Sequence, residues 1–173
     1  SIVFTDAAAE PLGDGGDATA AIVASNVRAQ AALAAEALGA MEESLRLTTE
    51  YLKQRKQFGV PLSKFQALTF RAADMYVQLE LARSMALYAT MSLADGTADP
   101  VVASRAKLQI GRSARQIGQE SIQLHGGIGV TDEYPVGHYF SRLTAIEHTL
   151  GGVDDHLRVI TGVVKDHEML GVS

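Results

Sequence analysis

The sequence predicts an all-α protein, an up-down bundle of four to five helices. Apolar residues recur at steps of three, four or seven along three long segments, as in helices with one buried face. Capping residues and glycines punctuate the segment ends. Hydrophobic residues make up 47% of the 173-residue chain and charged ones 20%, which supports a sizeable core and excludes a disordered chain.

The first helix is expected from about Asp17, its N-cap, with Val27, Ala31, Ala34, Leu38, Met41, Leu45 and Leu52 facing the core and Gly59 just past its end. The second carries Phe65, Leu68, Ala72, Met75, Leu79, Ala82 and Ala86, with Pro61-Leu62-Ser63 at its start and Ser63 as the cap. Asp99-Pro100 opens the third, a cap followed by proline at the first helical position. Its stripe runs Ala103, Ala106, Ile110, Ala114, Ile117, Ser121 and Leu124, and Gly126-Gly127 stops it. A fourth helix is expected from Pro135 to about Thr149, with Tyr134-Pro135 setting the turn into it. A fifth spans roughly Val153 to His167, with Asp154 and Asp155 in its first turn, where carboxylates suit the helix dipole. Short loops make the long helices antiparallel neighbours, and the many alanines permit close approach. Gly171-Val172-Ser173 reads as a frayed end.

Residues 1–16 differ. Ser1-Ile2-Val3-Phe4 has strand character, and Glu10 to Gly16 is a turn-rich connector. A lone four-residue strand makes no sheet, so residues 1–16 are expected to be the tail of a missing β domain and 17–173 the helical domain. The chain starts at Ser1 rather than Met, consistent with a piece of something longer.

Several chemistries are excluded. With 15 basic against 20 acidic residues and no Lys/Arg-rich block, nucleic acid is not an expected partner. No cysteine means no disulfide, thiolate metal site or cysteine nucleophile. The most apolar run, Ala29 to Met41, is broken by Gln30 and Glu36, so no membrane span is expected; without a basic leader the chain is expected to be cytoplasmic. No Glu is followed three residues later by His, as di-metal bundles require, and His125, His138, His148, His156 and His167 show no HExxH spacing. No metal site is expected. Gly126 to Gly129 ends a helix instead of joining a strand to one, so it is no dinucleotide fingerprint, and no G-x-S-x-G elbow occurs.

Two loops remain. Arg55-Lys56-Gln57-Phe58-Gly59 puts a guanidinium and an aromatic ring at a helix end, suited to a phosphate and to a flat heterocycle. Gln123-Leu124-His125-Gly126-Gly127-Ile128-Gly129 adds an amide and backbone open to close approach. On composition alone a surface arginine and an ordinary glycine cap account for the same residues.

These two segments, with Phe65-Gln66, Glu133-Tyr134-Pro135-Val136 and Arg142, in this order and spacing over roughly residues 20–165, resemble the acyl-CoA dehydrogenase family's C-terminal helical domain. The resemblance implies a FAD-dependent enzyme working as a dimer of dimers. Such enzymes remove two hydrogens across Cα–Cβ of an acyl-CoA thioester, a carboxylate taking the α proton and the flavin a hydride. It also implies that Arg55, Phe58, Gln123, Gly126 and Gly127 contact the FAD adenosine and diphosphate of a neighbouring subunit.

One segment departs from the family. Nine residues after Arg142 the family carries E-G-T, whose Glu is the base; here the chain reads Gly151-Gly152-Val153, with Asp155 near the place of a flavin-contacting Gln. The other base position known in the family falls at about Ala29-Gln30 and carries no acid. By this resemblance no catalytic residue is assigned. The chain is similar to the base-lacking subunit of heteromeric actinobacterial sterol-degrading dehydrogenases, paired with a base-bearing subunit and acting on bulky steroid-CoA.

Two alternatives stand beside this reading. One is a homotetramer with a displaced base at Glu147, one turn before Gly151, or at the adjacent His148; about 5.4 Å of displacement weighs against it. The other is a flavin-free structural module. Taken singly, Glu147 reads as a solvated helix residue, Asp154 and Asp155 as a helix N-terminal pair, and His125 as packed within its loop.

Overall fold

A computed structural model describes residues 2–164. It contains five α-helices: α1 (Thr19–Gln54), α2 (Gln66–Ala94), α3 (Pro100–His125), α4 (Pro135–His148) and α5 (Val153–Val163). A two-residue hairpin, β1 (Lys56–Gln57) with β2 (Val60–Pro61), and a 3-10 turn at Leu62–Lys64 join α1 to α2. A second 3-10 turn, Gly126–Val130, follows α3. The expected continuation of the last helix to His167, and the Gly171-Val172-Ser173 end, lie outside the described residues.

Helix α3 is the hub and packs on all four others. Every residue of its expected stripe is buried, from Ala103 to Leu124. Met41, Met75, Ile110, Ile117, Leu143 and Ile146 fill the centre of the core. Leu38 and the start of the α2 stripe, Phe65, Leu68 and Ala72, are only half-buried. The close contacts owe as much to glycine as to alanine. A Cβ on Gly118 would lie 2.8 Å from Phe140 Cδ2 and one on Gly111 2.9 Å from Val153 Cγ2, so these two positions admit α4 and α5.

Several cap assignments move. Asp99 Oδ1 accepts from Val101 N at 2.7 Å, as expected of a cap. Asp17 accepts from Thr19 N at 2.9 Å but acts from one residue before Ala18, the N-cap. Ser63 is not the α2 cap: it lies inside the 3-10 turn, Phe65 takes the cap position, and the Ser63 carbonyl accepts from Thr69 Oγ1. Gly59 does not cap α1 either; it belongs to the hairpin turn. Ile2, Val3 and Phe4 pair with no strand and are about 80% exposed.

One buried cation organises the end of α4. Lys107 is 2% exposed and donates from Nζ to the Ile146 carbonyl at 2.5 Å. That carbonyl is in the last turn of α4, where its backbone partner is only a long contact from Thr149 N at 3.3 Å and a cation suits the dipole. No helix among the described residues is long and apolar enough to cross a membrane.

Candidate functional site

Arg55 leaves α1 in an extended conformation, φ −70° and ψ 124°, and carries the chain into the hairpin. The hairpin closes through Phe58 and Gly59, with φ of +53° and +81°. Two successive positive φ values give the tight turn whose twist matches its strands. Glycine adopts this readily and phenylalanine does not, so Phe58 is held against its preference. Its ring is 92% exposed and meets Phe65 edge-on at 6.2 Å. Lys53, Arg55, Lys56 and Lys64 are exposed around it, and none forms an ion pair among the described residues. In an acidic chain this end is a concentrated site of free positive charge.

The glycine segment lies at the same end. His125, the last residue of α3, sits between Tyr51 and Tyr134, with ring centroids 4.6 and 4.8 Å away. Its Nδ1 lies 2.7 Å from the Ser121 carbonyl, so it packs locally as expected, and burial holds it below the usual imidazole range. Because Tyr51 lies one turn before Arg55, the stack fixes the glycine turn beside the basic hairpin. Gly126 has φ +62°, and a Cβ at Gly126 or Gly127 would meet nothing within 4 Å. Gln123 is exposed too. The arrangement fits an anionic, aromatic group: free guanidinium, outward ring, amide and open backbone.

A second site lies elsewhere. The Leu150–Gly152 turn between α4 and α5 is tied down from α1 and α5, with α3 holding the α5 histidine. Gln30 of α1 donates to the Leu150 carbonyl at 2.9 Å, and the Gly152 N–H donates to Asp155 at 3.1 Å. His156 Nε2 lies 3.1 Å from the Gly151 carbonyl and its Nδ1 3.2 Å from Ser104 Oγ. Donation from Nε2 leaves Nδ1 to accept from the serine. Burial and then the Lys107 charge hold His156 below the usual range. An apolar cavity of about 260 Å³ adjoins the turn, lined in part by Val23, Val27, Gln30, Leu150 and Val159. Gln30 and Gly151 therefore meet at one cavity, which Asp155 and His156 also line.

Gly151 has φ +105°, and a Cβ there would lie 2.9 Å from His156 Nε2. A longer residue does not fit the turn as it stands. Val153 turns inward onto α3 at Gly111. Glu147, expected to be solvated, is 5% exposed and pairs with Arg115, whose Nε lies 3.4 Å from Oε2. The sequence signal for that pairing, an Arg on the helix facing α4, needs the packing to be known. Asp155 serves its helix N-terminus as expected and also pairs with Arg158 at 2.8 Å.

Neutral burial of two imidazoles has a consequence for acid stability. The unfolded chain titrates them near 6.5, above their values in the fold, so below that pH the unfolded state binds more protons. Stability is complete above pH 6.5 and is expected to fall below it by up to about 1.4 kcal/mol per pH unit for each group. Thermal melts between pH 7.5 and 5 would show it, and His156→Gln should flatten the slope. A flat profile in the parent protein would contradict the assignment.

The family model of the acyl-CoA dehydrogenase C-terminal domain matches residues 21–162. The chain belongs to the acyl-CoA dehydrogenase family. A short-chain-specific acyl-CoA dehydrogenase of Megasphaera elsdenii is 38% identical over 130 residues, covering 75% of this chain and 34% of that protein. Among solved structures, a variant of the Tcur3481-Tcur3483 steroid acyl-CoA dehydrogenase superposes with a TM-score of 0.82 at 35% identity, over 86% of this chain and 41% of that one. The ChsE4-ChsE5 complex of Mycobacterium tuberculosis gives 0.82 at 28% identity, over 87% and 41%. The chain thus spans about a third of the length of the curated relatives it matches. In this acyl-CoA dehydrogenase domain the basic hairpin and the glycine turn stand at one end of α1, and the Leu150–Gly152 turn stands toward the other.

Proposed function

We propose that this chain is the C-terminal domain of a non-catalytic subunit in a cytoplasmic, FAD-dependent heterotetrameric acyl-CoA dehydrogenase. Arg55, Phe58, Gln123, Gly126 and Gly127 would hold the adenosine and diphosphate of the FAD bound by a base-bearing partner subunit. Residues 1–16 would be the tail of the preceding β domain, and 17–173 the helical domain. The observation that carries this reading is the asymmetry between the two sites. The cation-rich, open end fits a dinucleotide, whereas Gly151 in the Leu150–Gly152 turn carries no carboxylate, and the neighbouring Asp155 is engaged by the Gly152 N–H and Arg158.

Separation supports the same division. Gln30 and Tyr51 lie 21 residues apart on α1, about 31 Å at 1.5 Å per residue, so the two ends address different sites. FAD supplies the hydride acceptor for α,β-dehydrogenation of the acyl-CoA thioester. This chain's share would be binding: Arg55 would pair with phosphate oxygens and Phe58 would offer its exposed ring to the adenine. The α proton goes to a carboxylate of the partner. Bulky steroid-CoA thioesters are the proposed substrate class, supported by likeness to the steroid enzyme named above.

A self-sufficient homotetramer using Glu147 is less well supported, because Arg115 and burial hold that carboxylate. A flavin-free module leaves the outward Phe58 and free Arg55 without a purpose. The deciding experiment is flavin absorbance with native mass on the full-length protein, alone and co-expressed with a candidate partner. A colourless protein that becomes a yellow tetramer with about one FAD per unlike pair is expected. A tightly held FAD in every chain of a homotetramer would overturn the proposal and return attention to Glu147.

A further inference from the structure

Two backbone carbonyls act on the imidazole of His125, and a neutral ring can serve only one. Nδ1 lies 2.7 Å from the Ser121 carbonyl of α3, and the Leu47 carbonyl of α1 also draws a proton to the ring. A neutral imidazole donates from one nitrogen and offers a bare lone pair at the other, whereas the imidazolium donates from both. With Nδ1–H given to Ser121, Nε2 is left buried without a hydrogen bond. Ser121 Oγ, one turn earlier on the same helix, is buried and has none either. Buried polar atoms without partners are uncommon, and each calls for a cause. At His125 the unmet capacity is for a second donor, which a proton on Nε2 would supply.

Burial keeps that proton off. His125 is 3% exposed, and among the described residues only burial and the two carbonyls act on its titration. The side chains that face it are the phenols of Tyr51, from α1, and Tyr134, from the turn before α4. Burial pushes the Tyr134 hydroxyl up from the usual phenol range. Glu50 and Arg46 of α1 stand beyond Tyr134 and pair with each other at 2.7 Å, so neither is a free charge at the ring. A counter-anion for an imidazolium is what this pocket lacks. Gly126 is the next residue in the chain, and it and Gly127 are the open backbone at which a diphosphate would sit. In surroundings of low dielectric, negative charge arriving there makes protonation of the ring less costly.

We propose that His125 is a positioning residue of the flavin half-site: it takes up a proton as the diphosphate docks and, as the imidazolium, ties α1 to α3 behind Gly126 and Gly127. The role rests on the half-site reading above and adds to it a proton that neither Arg55 nor the glycines can carry. The proton comes from solvent and stays on Nε2; no bond of the flavin changes. Coupling of this kind is reciprocal. A ligand that raises the ring's affinity for a proton is itself held more tightly once the ring is protonated, so flavin retention rises as pH falls.

Calorimetric titration of the flavin-stripped, full-length complex with FAD at pH 6.5, in two buffers of different ionisation enthalpy, counts the protons taken up. The parent complex should take up as much as about one proton per FAD. His125→Phe keeps a ring in the stack but cannot titrate, and should take up none. Retention after dilution should be roughly fivefold or more better at pH 6 than at pH 8 in the parent, and should lose that dependence in His125→Phe. A merely structural ring would leave both measurements indifferent to pH. The buffer comparison needs only the parent, so failure of His125→Phe to assemble does not shield the proposal. No proton uptake in the parent, with Arg55→Ala still weakening retention, would overturn the role of His125 and leave the half-site standing. Uptake that persists in His125→Phe would overturn it too, by assigning the proton to another group. Arg55→Ala without effect on retention would overturn the half-site, and this role with it.

Discussion

Arg55→Ala is expected to weaken flavin retention by the assembled complex roughly ten- to hundredfold, the equivalent of one charge-assisted contact of about 1.5–3 kcal/mol. Arg55 is exposed and has no ion pair among the described residues, so its loss should leave the melting temperature of the domain unchanged. The measurement is the flavin-to-protein absorbance ratio after gel filtration, compared with the parent complex at the same salt. Retention at the parent level would remove the guanidinium from the cofactor site. Arg55→Lys should recover only part of the loss, because an ammonium is a point charge and lacks the planar fork.

Gly129→Ala is expected to be the most damaging small substitution in the glycine turn. A Cβ there would lie 2.9 Å from the Ile122 carbonyl oxygen, 3.0 Å from His125 Cβ and 3.3 Å from Ile122 Cα. None of these is a flexible side-chain tip, so the turn itself must move off α3. Overpacking of this kind costs about 1–3 kcal/mol, or roughly 2–4 °C in melting temperature for each kcal/mol. Gly127→Ala is the control, since its Cβ would point into open space. If the two variants melt alike, the close approach at Gly129 is not a constraint. If Gly129→Ala also releases flavin while Gly127→Ala does not, the turn's seat on α3 is part of the cofactor site.

The legible parts of this fold are those written in local chemistry. Asp99-Pro100 announces α3, Gly126 ends it, and the three-four spacing from Ala103 to Leu124 names its buried face. Caps that depend on the entering chain were not legible in the same way. Ser63 has the right side chain for a cap, but the 3-10 turn consumes the residues around it and passes the position to Phe65. Gly59 looks like a helix terminator, yet a positive φ at the preceding Phe58 makes the pair a hairpin turn, and nothing in a phenylalanine signals that. Gly111 and Gly118 interrupt a helix without penalty because Val153 and Phe140 fill the space, partners that become neighbours only on folding. The same holds for Glu147, whose burial depends on Arg115 from another helix. The two motifs of the basic end were readable as residues. Their convergence depends on Tyr51 stacking on His125 and Tyr134, a ring more than seventy residues away from its partners in sequence.

Helix α1 runs without a break from Thr19 to Gln54 and carries Gln30 near one end and the approach to Arg55 at the other. It therefore acts as a ruler that fixes spacing and rotational phase together. Inserting a single residue between Gln30 and Tyr51 would advance one end by about 1.5 Å but swing it by about 100° around the helix axis. The basic end would then face a different direction from the one in which the Leu150–Gly152 turn is anchored. Seven inserted residues would nearly restore the phase, at the cost of about 10.5 Å of extra length. Drift in the length of this helix is thus closed to gradual change, whereas its exposed side chains remain free to vary.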